Sequence, residues 1–222
     1  MKEIIVDVWG DFACFSRPES KVERLTYPVP TPSAMRGLLS AIYSKPKEFY
    51  WQVTRIEVLN KPAYITFKRN EVKEKIPEKP KEAVQVDLTG GGNKGRTQRQ
   101  TVALKDVRYR IHARICKQPD FPGTEEQLYK QAVRRIRAGQ CFFQPSLGVR
   151  EFTAYFEEGT EPVVPIDLDL DLGLMLYDVF DLHQWEVTKK TKPFVTLFHA
   201  QLKKGILDIP DFDSSEVLRP EV

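Results

Sequence analysis

The residues of this sequence best suited to chemistry on a polyanion are its arginines. Between Lys94 and Arg150 stand thirteen basic side chains (Lys94, Arg96, Arg99, Lys105, Arg108, Arg110, Arg114, Lys117, Lys130, Arg134, Arg135, Arg137 and Arg150) against four acids, Asp106, Asp120, Glu125 and Glu126. The whole chain of 222 residues carries a formal charge of only +3, and residues 151–222 hold fifteen acids against six bases. Charge is therefore sorted along the chain. A basic stretch hidden inside a near-neutral total is the electrostatic footprint of a phosphate-backbone binder. Arginine predominates in it, which favours bidentate contact with phosphate and stacking on bases. The same pattern also fits a solvated face with no partner.

Within this stretch, Val107 to Ile115 alternates with period two. Val107, Tyr109, Ile111, Ala113 and Ile115 share one face of a strand, and Arg108, Arg110, His112 and Arg114 share the other. His112 is expected to be an exposed histidine; a role in proton transfer needs a substrate positioned beside it. Thr124 to Ala138 reads as a helix. Thr124 and Gln127 form a capping box, Glu125 and Glu126 suit its N-terminal end, and Arg134, Arg135 and Arg137 suit the other. Gly139 stops it, and Leu128, Ala132, Val133 and Ile136 make its buried stripe. Three arginines in four residues exceed what capping requires, so binding is the preferred reading.

The remaining elements must hold these groups in place. Glu3 to Val8 alternates as a strand, ended by Trp9-Gly10-Asp11. Residues 16–31 read as a polar loop carrying Arg17, Lys21 and Arg24, with Arg36 just beyond. Thr31 caps a helix that Pro32 opens, and Lys45-Pro46 stops it, leaving Tyr43 on its last turn. Gly37 inside it costs up to about 1 kcal/mol unless close packing needs it. Trp51–Leu59 and Ala63–Phe67 are strands. Lys68–Lys81 has the Lys, Glu and Pro composition of a mobile excursion, with Val84–Leu88 as its return strand. Ser146–Phe156 is expected to end in a strand over 149–156. Acidic strands follow within 162–172, 174–180, 193–202 and 206–209, then a loose tail from Asp211. The order predicts an α+β chain with a ferredoxin-like (RRM-like) domain over 1–158. That domain carries a β-hairpin arm at about 68–100, and a small antiparallel β domain follows over 159–222.

Several classes are excluded. Gly90 and Gly95 have phosphate-loop spacing, but Arg96 stands where the lysine belongs, and the next residues alternate as a strand rather than opening a helix. A flexible glycine turn beside basic residues is left. Cys14, Cys116 and Cys141 show neither metal spacing nor a disulfide framework, which fits a reducing cytoplasm. His112, His183 and His199 are scattered, so no metal and no cofactor are expected. No signal-peptide pattern opens the chain, and no apolar run approaches the roughly 20 residues of a membrane span.

Four stretches carry a resemblance: Val8-Trp9-Gly10-Asp11-Phe12-Ala13-Cys14-Phe15; Tyr27-Pro28-Val29-Pro30-Thr31-Pro32-Ser33-Ala34; Ala41-Ile42-Tyr43-Ser44-Lys45-Pro46; and Arg137-Ala138-Gly139-Gln140 through Leu147-Gly148-Val149-Arg150-Glu151-Phe152. They resemble the CRISPR-associated Cas5 proteins of subtype I-C, in the repeat-associated (RAMP) RNA-binding superfamily. The resemblance implies a metal-independent endoribonuclease that binds the hairpin of CRISPR repeat RNA and cuts precursor crRNA. The ribose 2′-OH would attack the adjacent phosphate, leaving a 2′,3′-cyclic phosphate and a 5′-OH. The protein would then stay on the 5′ handle as a subunit of the type I-C surveillance complex, with DNA as a secondary contact. Its expected RNA-binding set is Arg17, Lys21, Arg24, Arg36, Lys94, Arg96, Arg99, Arg108, Arg110, Arg114, Arg134, Arg135, Arg137 and Arg150.

Tyr43 matches the tyrosine this family uses. A phenol of pKa about 10 is a poor base at neutral pH, so arginines must lower it or it acts as a donor. The family's adjacent lysine and histidine at the start of the second helix correspond here to Gln127 and Leu128. Neither transfers a proton, and Lys130, Tyr129 or His112 are the candidates left for that role. The other reading is a non-catalytic scaffold on the crRNA 5′ handle that holds neighbouring subunits. A third is a generic basic nucleic-acid-binding protein.

Overall fold

The computed structural model describes residues 2–20, 23–73, 95–188 and 190–220. Lys21, Lys94, the return strand expected at Val84–Leu88 and the glycines Gly90 to Gly92 lie outside the described residues. In chain order the elements are β1 (Glu3–Ala13), β2 (Arg24–Leu25), α1 (Pro32–Ile42), β3 (Phe49–Val58), β4 (Ala63–Val72), β5 (Arg96–Lys117), α2 (Glu125–Arg137), β6 (Tyr155–Glu158), β7 (Leu170–Asp178), β8 (Thr196–Lys203) and β9 (Ile206–Asp208). The architecture is α+β: a mostly antiparallel sheet in the order β6-β1-β5-β3-β9-β8-β7, with two helices.

β5 organises it. Its first half, Arg96 to Lys105, pairs with β4, while Leu104 to Arg114 pairs with β1 and Tyr109 to Lys117 with β3. The two halves meet at Asp106, whose φ is 53° and whose carbonyl accepts the Asn60 amide at 2.8 Å. β2 adds a short parallel pairing at Thr101–Val102. The apolar face of β5 read from the sequence is the observed one: Val107, Tyr109, Ile111, Ala113 and Ile115 are buried. Ile4, Val6 and Val8 of β1 stand opposite Ala113, Ile111 and Tyr109 on that same face. Met35, Leu38, Leu39 and Ile42 of α1 share the core with Leu128, Ala132 and Ile136 of α2. Each buried Leu, Ile or Met side chain among them stabilises by about 1.5–3 kcal/mol. Both helices therefore lie on one face of the sheet. Their caps are as expected: Thr31 accepts from the Ala34 N–H, and Thr124 and Gln127 close a capping box.

Several expectations are corrected. β1 does not end at Trp9-Gly10-Asp11 but runs on to Ala13. Gly10 is a packing residue there: a Cβ would lie 2.7 Å from both Leu147 Cδ1 and the Thr153 carbonyl. Lys68 to Val72 is strand rather than loose arm, paired with Arg96 to Gln100 of β5. β3 shifts register between Val53 and Arg55. That bulge moves the buried set from Trp51 and Val53 to Ile56 and Val58, so strict alternation gave the wrong face for its second half. The strand expected over 149–156 is a turn closed by the Leu147 N–H on the Phe152 carbonyl, and only 155–158 is strand. Gly148 has φ 87°, and a Cβ there would strike the Cys14 carbonyl. The tail beyond Asp211 is docked, with Phe212 and Val217 buried and Leu218 paired to Leu197. β9 pairs with β3, and Met175, Tyr177 and Phe198 share the core of the N-terminal strands. No helix among the described residues is long and apolar enough to cross a membrane.

Candidate active site and nucleic-acid interface

Tyr43 follows the last residue of α1 in extended conformation (φ −149°, ψ 120°) and caps the helix through its N–H on the Leu39 carbonyl. Its own carbonyl accepts the Trp51 indole N–H at 2.8 Å. The phenol ring is buried at 2% exposure, between Phe49 (ring centroids 5.1 Å apart) and Phe142 (6.4 Å). Arg135 comes from the end of α2, 4.1 Å from the Phe142 ring centre and 5.9 Å from that of Tyr43. Its Nε donates to the Ile42 carbonyl at 3.1 Å, satisfying an end-of-helix acceptor. The loop after α2 donates two backbone N–H groups, of Phe142 and Phe143, to the Ala41 carbonyl. Burial pushes the Tyr43 phenol up from its ordinary value, and the Lys45 and Arg135 cations pull it down by less. The group keeps its proton at neutral pH. It is equipped to donate rather than to act as a base.

Among the described residues, no contact joins Tyr43 to Lys130 or His112. Lys130 is exposed on α2 and pairs with Glu126 at 3.6 Å. His112 is on the sheet face opposite the helices, buried rather than exposed, with Nδ1 3.0 Å from Glu3 and Nε2 3.0 Å from Glu57. Its cross-strand partners Ile5 and Arg55 confirm that it faces away from Tyr43. The two groups cannot serve one phosphate.

Among the described residues, most of the basic side chains singled out by the sequence are held in ion pairs. On the outer face, Arg110 forms a buried two-bonded pair with Asp7 at 2.6 and 2.9 Å. Arg108 pairs with Glu157 and lies over Trp9, and Arg114 pairs with Asp211. Arg36 is bonded twice to the buried Asp178, and Arg137 twice to Glu158. Arg134 and Arg150 are exposed.

A second cluster forms at the base of the β4–β5 hairpin. Arg69 stands directly opposite Arg99, and like charges in that position repel. Glu71 and Glu151 hold them together: Glu71 meets Arg24, Arg69 and Arg99 within 3.4 Å, and Glu151 meets Arg69 at 2.8 Å and Arg24 at 3.6 Å. Three guanidiniums share two carboxylates. Arg17 lies nearby over Tyr27, and the exposed Arg96 is further out on the hairpin. Arg69 escaped the sequence reading because it sits in what read as loose arm; only the β4–β5 register brings it to Arg99.

The profile of the family described as "CRISPR-associated protein (Cas_Cas5)" matches residues 3–216. The chain belongs to the Cas5 family. One relative, "CRISPR pre-crRNA endoribonuclease Cas5d" of Thermus thermophilus, is 40% identical, the match covering 100% of this chain and 97% of the relative. Another of the same description, from Mannheimia succiniciproducens, is 39% identical over 97% of this chain and 98% of that protein. A crystal structure titled as a CRISPR-associated protein superposes with a TM-score of 0.67 at 21% identity, covering 98% of this chain and 96% of the other. A Streptococcus mutans protein, SMU1763c, superposes at 0.64 and 19% identity, covering 98% and 97%. These two structures share the Cas5 chain's fold.

Proposed function

We propose that this Cas5 protein is a precursor-crRNA endoribonuclease that binds the CRISPR repeat hairpin, cuts it, and stays on the 5′ handle as a subunit of the type I-C surveillance complex. The observation that carries the reading is the full-length match to two relatives described as pre-crRNA endoribonucleases, with Tyr43 at the junction of α1, β3 and the loop after α2. The sheet order β6-β1-β5-β3, with α1 following β1 and α2 following β5, supports a ferredoxin-like core as the platform.

Cleavage forms a bond from the 2′ oxygen to phosphorus and breaks the bond from phosphorus to the 5′ oxygen. One proton leaves the 2′-OH and one reaches the departing oxygen. Because burial keeps Tyr43 protonated, its phenol serves as the donor, to the departing 5′ oxygen or to a phosphoryl oxygen. Arg135 and Lys45 supply positive charge around the phosphate. The Phe142–Phe143 loop covers the ring, so RNA reaches the phenol when this loop shifts. The arginines at the base of the β4–β5 hairpin hold the RNA backbone at a distance from the cut.

The burial of Tyr43 and the separation of Lys130 and His112 from it favour a second reading, a non-catalytic scaffold bound to the 5′ handle. Labelled repeat RNA incubated with the protein in EDTA separates the two. Discrete cuts that a single 2′-deoxy substitution at the scissile nucleotide abolishes, with binding intact, are the result expected of the enzyme. Tight binding with intact RNA would establish the scaffold instead.

A further inference from the structure

Between the C-terminal end of α1 and the chain that leaves β7 lies a cavity of about 220 Å3, room for roughly seven waters at ~30 Å3 each. Phe49, Trp51 and Trp185 give it ring-bearing walls, and Ser44 and Gln118 give it hydrogen-bonding groups. Lys47 sits at its rim, with the ammonium 4.8 Å from the centre of the Trp185 ring. Gln118 is only 4% exposed. Its backbone is tied to the Glu48 carbonyl and the Phe121 N–H, but among the described residues no partner takes its side-chain amide. Gln118 lines the cavity, so its amide is available to pair with a ligand held there.

The cavity is also joined to the tyrosine. Phe49 packs on the Tyr43 ring at 5.1 Å, and Trp51 donates its indole N–H to the Tyr43 carbonyl. Whatever fills the space presses on both side chains that hold Tyr43. Flat walls, an amide and a hydroxyl that can read a heterocycle's edge, and a cation at the rim are the means by which unpaired bases are bound. An apolar side chain from a protein partner would leave the Gln118 amide unpaired.

We propose that this cavity is a nucleobase pocket, taking one unpaired base of the RNA next to the phosphate that Tyr43 addresses. It rests on the RNA-cleaving reading above and deepens it, placing a specificity element against Phe49, which packs on Tyr43.

The test uses the full-length protein and repeat RNA carrying an abasic nucleotide at each unpaired position in turn, with the intact RNA as reference. Wild type should lose affinity about tenfold at one position, the worth of one stacked base. Trp185→Ala, at a residue 42% exposed and so truncated without disturbing the core, should bind intact RNA about tenfold more weakly and lose nothing further with that abasic RNA. Gln118→Leu, which keeps the shape of the wall, should flatten the preference among the four bases at the same position. Tight binding of repeat RNA with no position at which the abasic and Trp185→Ala losses overlap overturns the pocket and leaves the RNA reading standing. Failure to bind repeat RNA in preference to unrelated RNA overturns both. Trp185→Ala binding RNA normally but failing to assemble with protein subunits would make the cavity a protein-docking site and overturn the proposal.

Discussion

On the outer face of β5, Arg108, Arg110 and Arg114 each meet a carboxylate brought from elsewhere in the chain. At the end of α2, on the helical face, Arg134 and Arg135 meet none among the described residues. Both sets belong to the same basic stretch, yet they differ in what a phosphate would have to displace. A phosphate at Arg110 must break a buried ion pair; one at Arg134 meets a cation already facing solvent. The comparison separates charge that builds the sheet from charge available to a ligand. Arg135 stands between the two cases, because its Nε also closes α1.

The largest effect expected from either face concerns the tyrosine between the helices. Tyr43→Phe should lower the single-turnover cleavage rate by about 10²–10⁴-fold, the usual worth of a positioned proton donor, and leave the repeat-RNA Kd unchanged. An unaltered rate would move the chemistry away from the helical face. On the outer face, Asp7→Ala should cost about 3–5 kcal/mol in chemical denaturation, because it strands a buried guanidinium. Replacing the pair together, Asp7→Leu with Arg110→Met, should recover most of that loss and leave RNA affinity as in wild type. A large fall in affinity for the double variant would break the distinction between the faces. Arg134→Ala should weaken RNA binding severalfold and reduce the salt slope of log Kd by about one. The smallest effect is at Gly37. It is exposed in mid-helix, and a Cβ there would touch nothing within 4 Å. Gly37→Ala should therefore raise stability by about 0.5–1 kcal/mol, read as a higher denaturation midpoint.

What the sequence disclosed depended on the distance over which a signal acts. The caps Thr31 and Thr124 are local, since donor and acceptor lie three residues apart, and both helices were legible within a residue or two. The two faces of Val107–Ile115 were equally plain, because alternation is a property of the strand alone. The partners on those faces were not. Asp7 reaches Arg110 across 103 residues, and Asp178 reaches Arg36 across 142, so a surface that read as free cations is largely paired. Thr54 hid a bulge that no composition betrays, and with it the buried phase of β3's second half. The cavity beside Tyr43 was invisible for the same reason: Trp51, Gln118 and Trp185 come from segments that only the fold assembles.

Asp106 has one further consequence. A left-handed residue in the middle of a 22-residue strand works as an elbow, dividing one continuous ribbon into an upper arm fixed in the sheet and a forearm that carries Arg99 and Arg96. The backbone turn at this joint sets where the forearm's cations stand relative to the rest of the sheet.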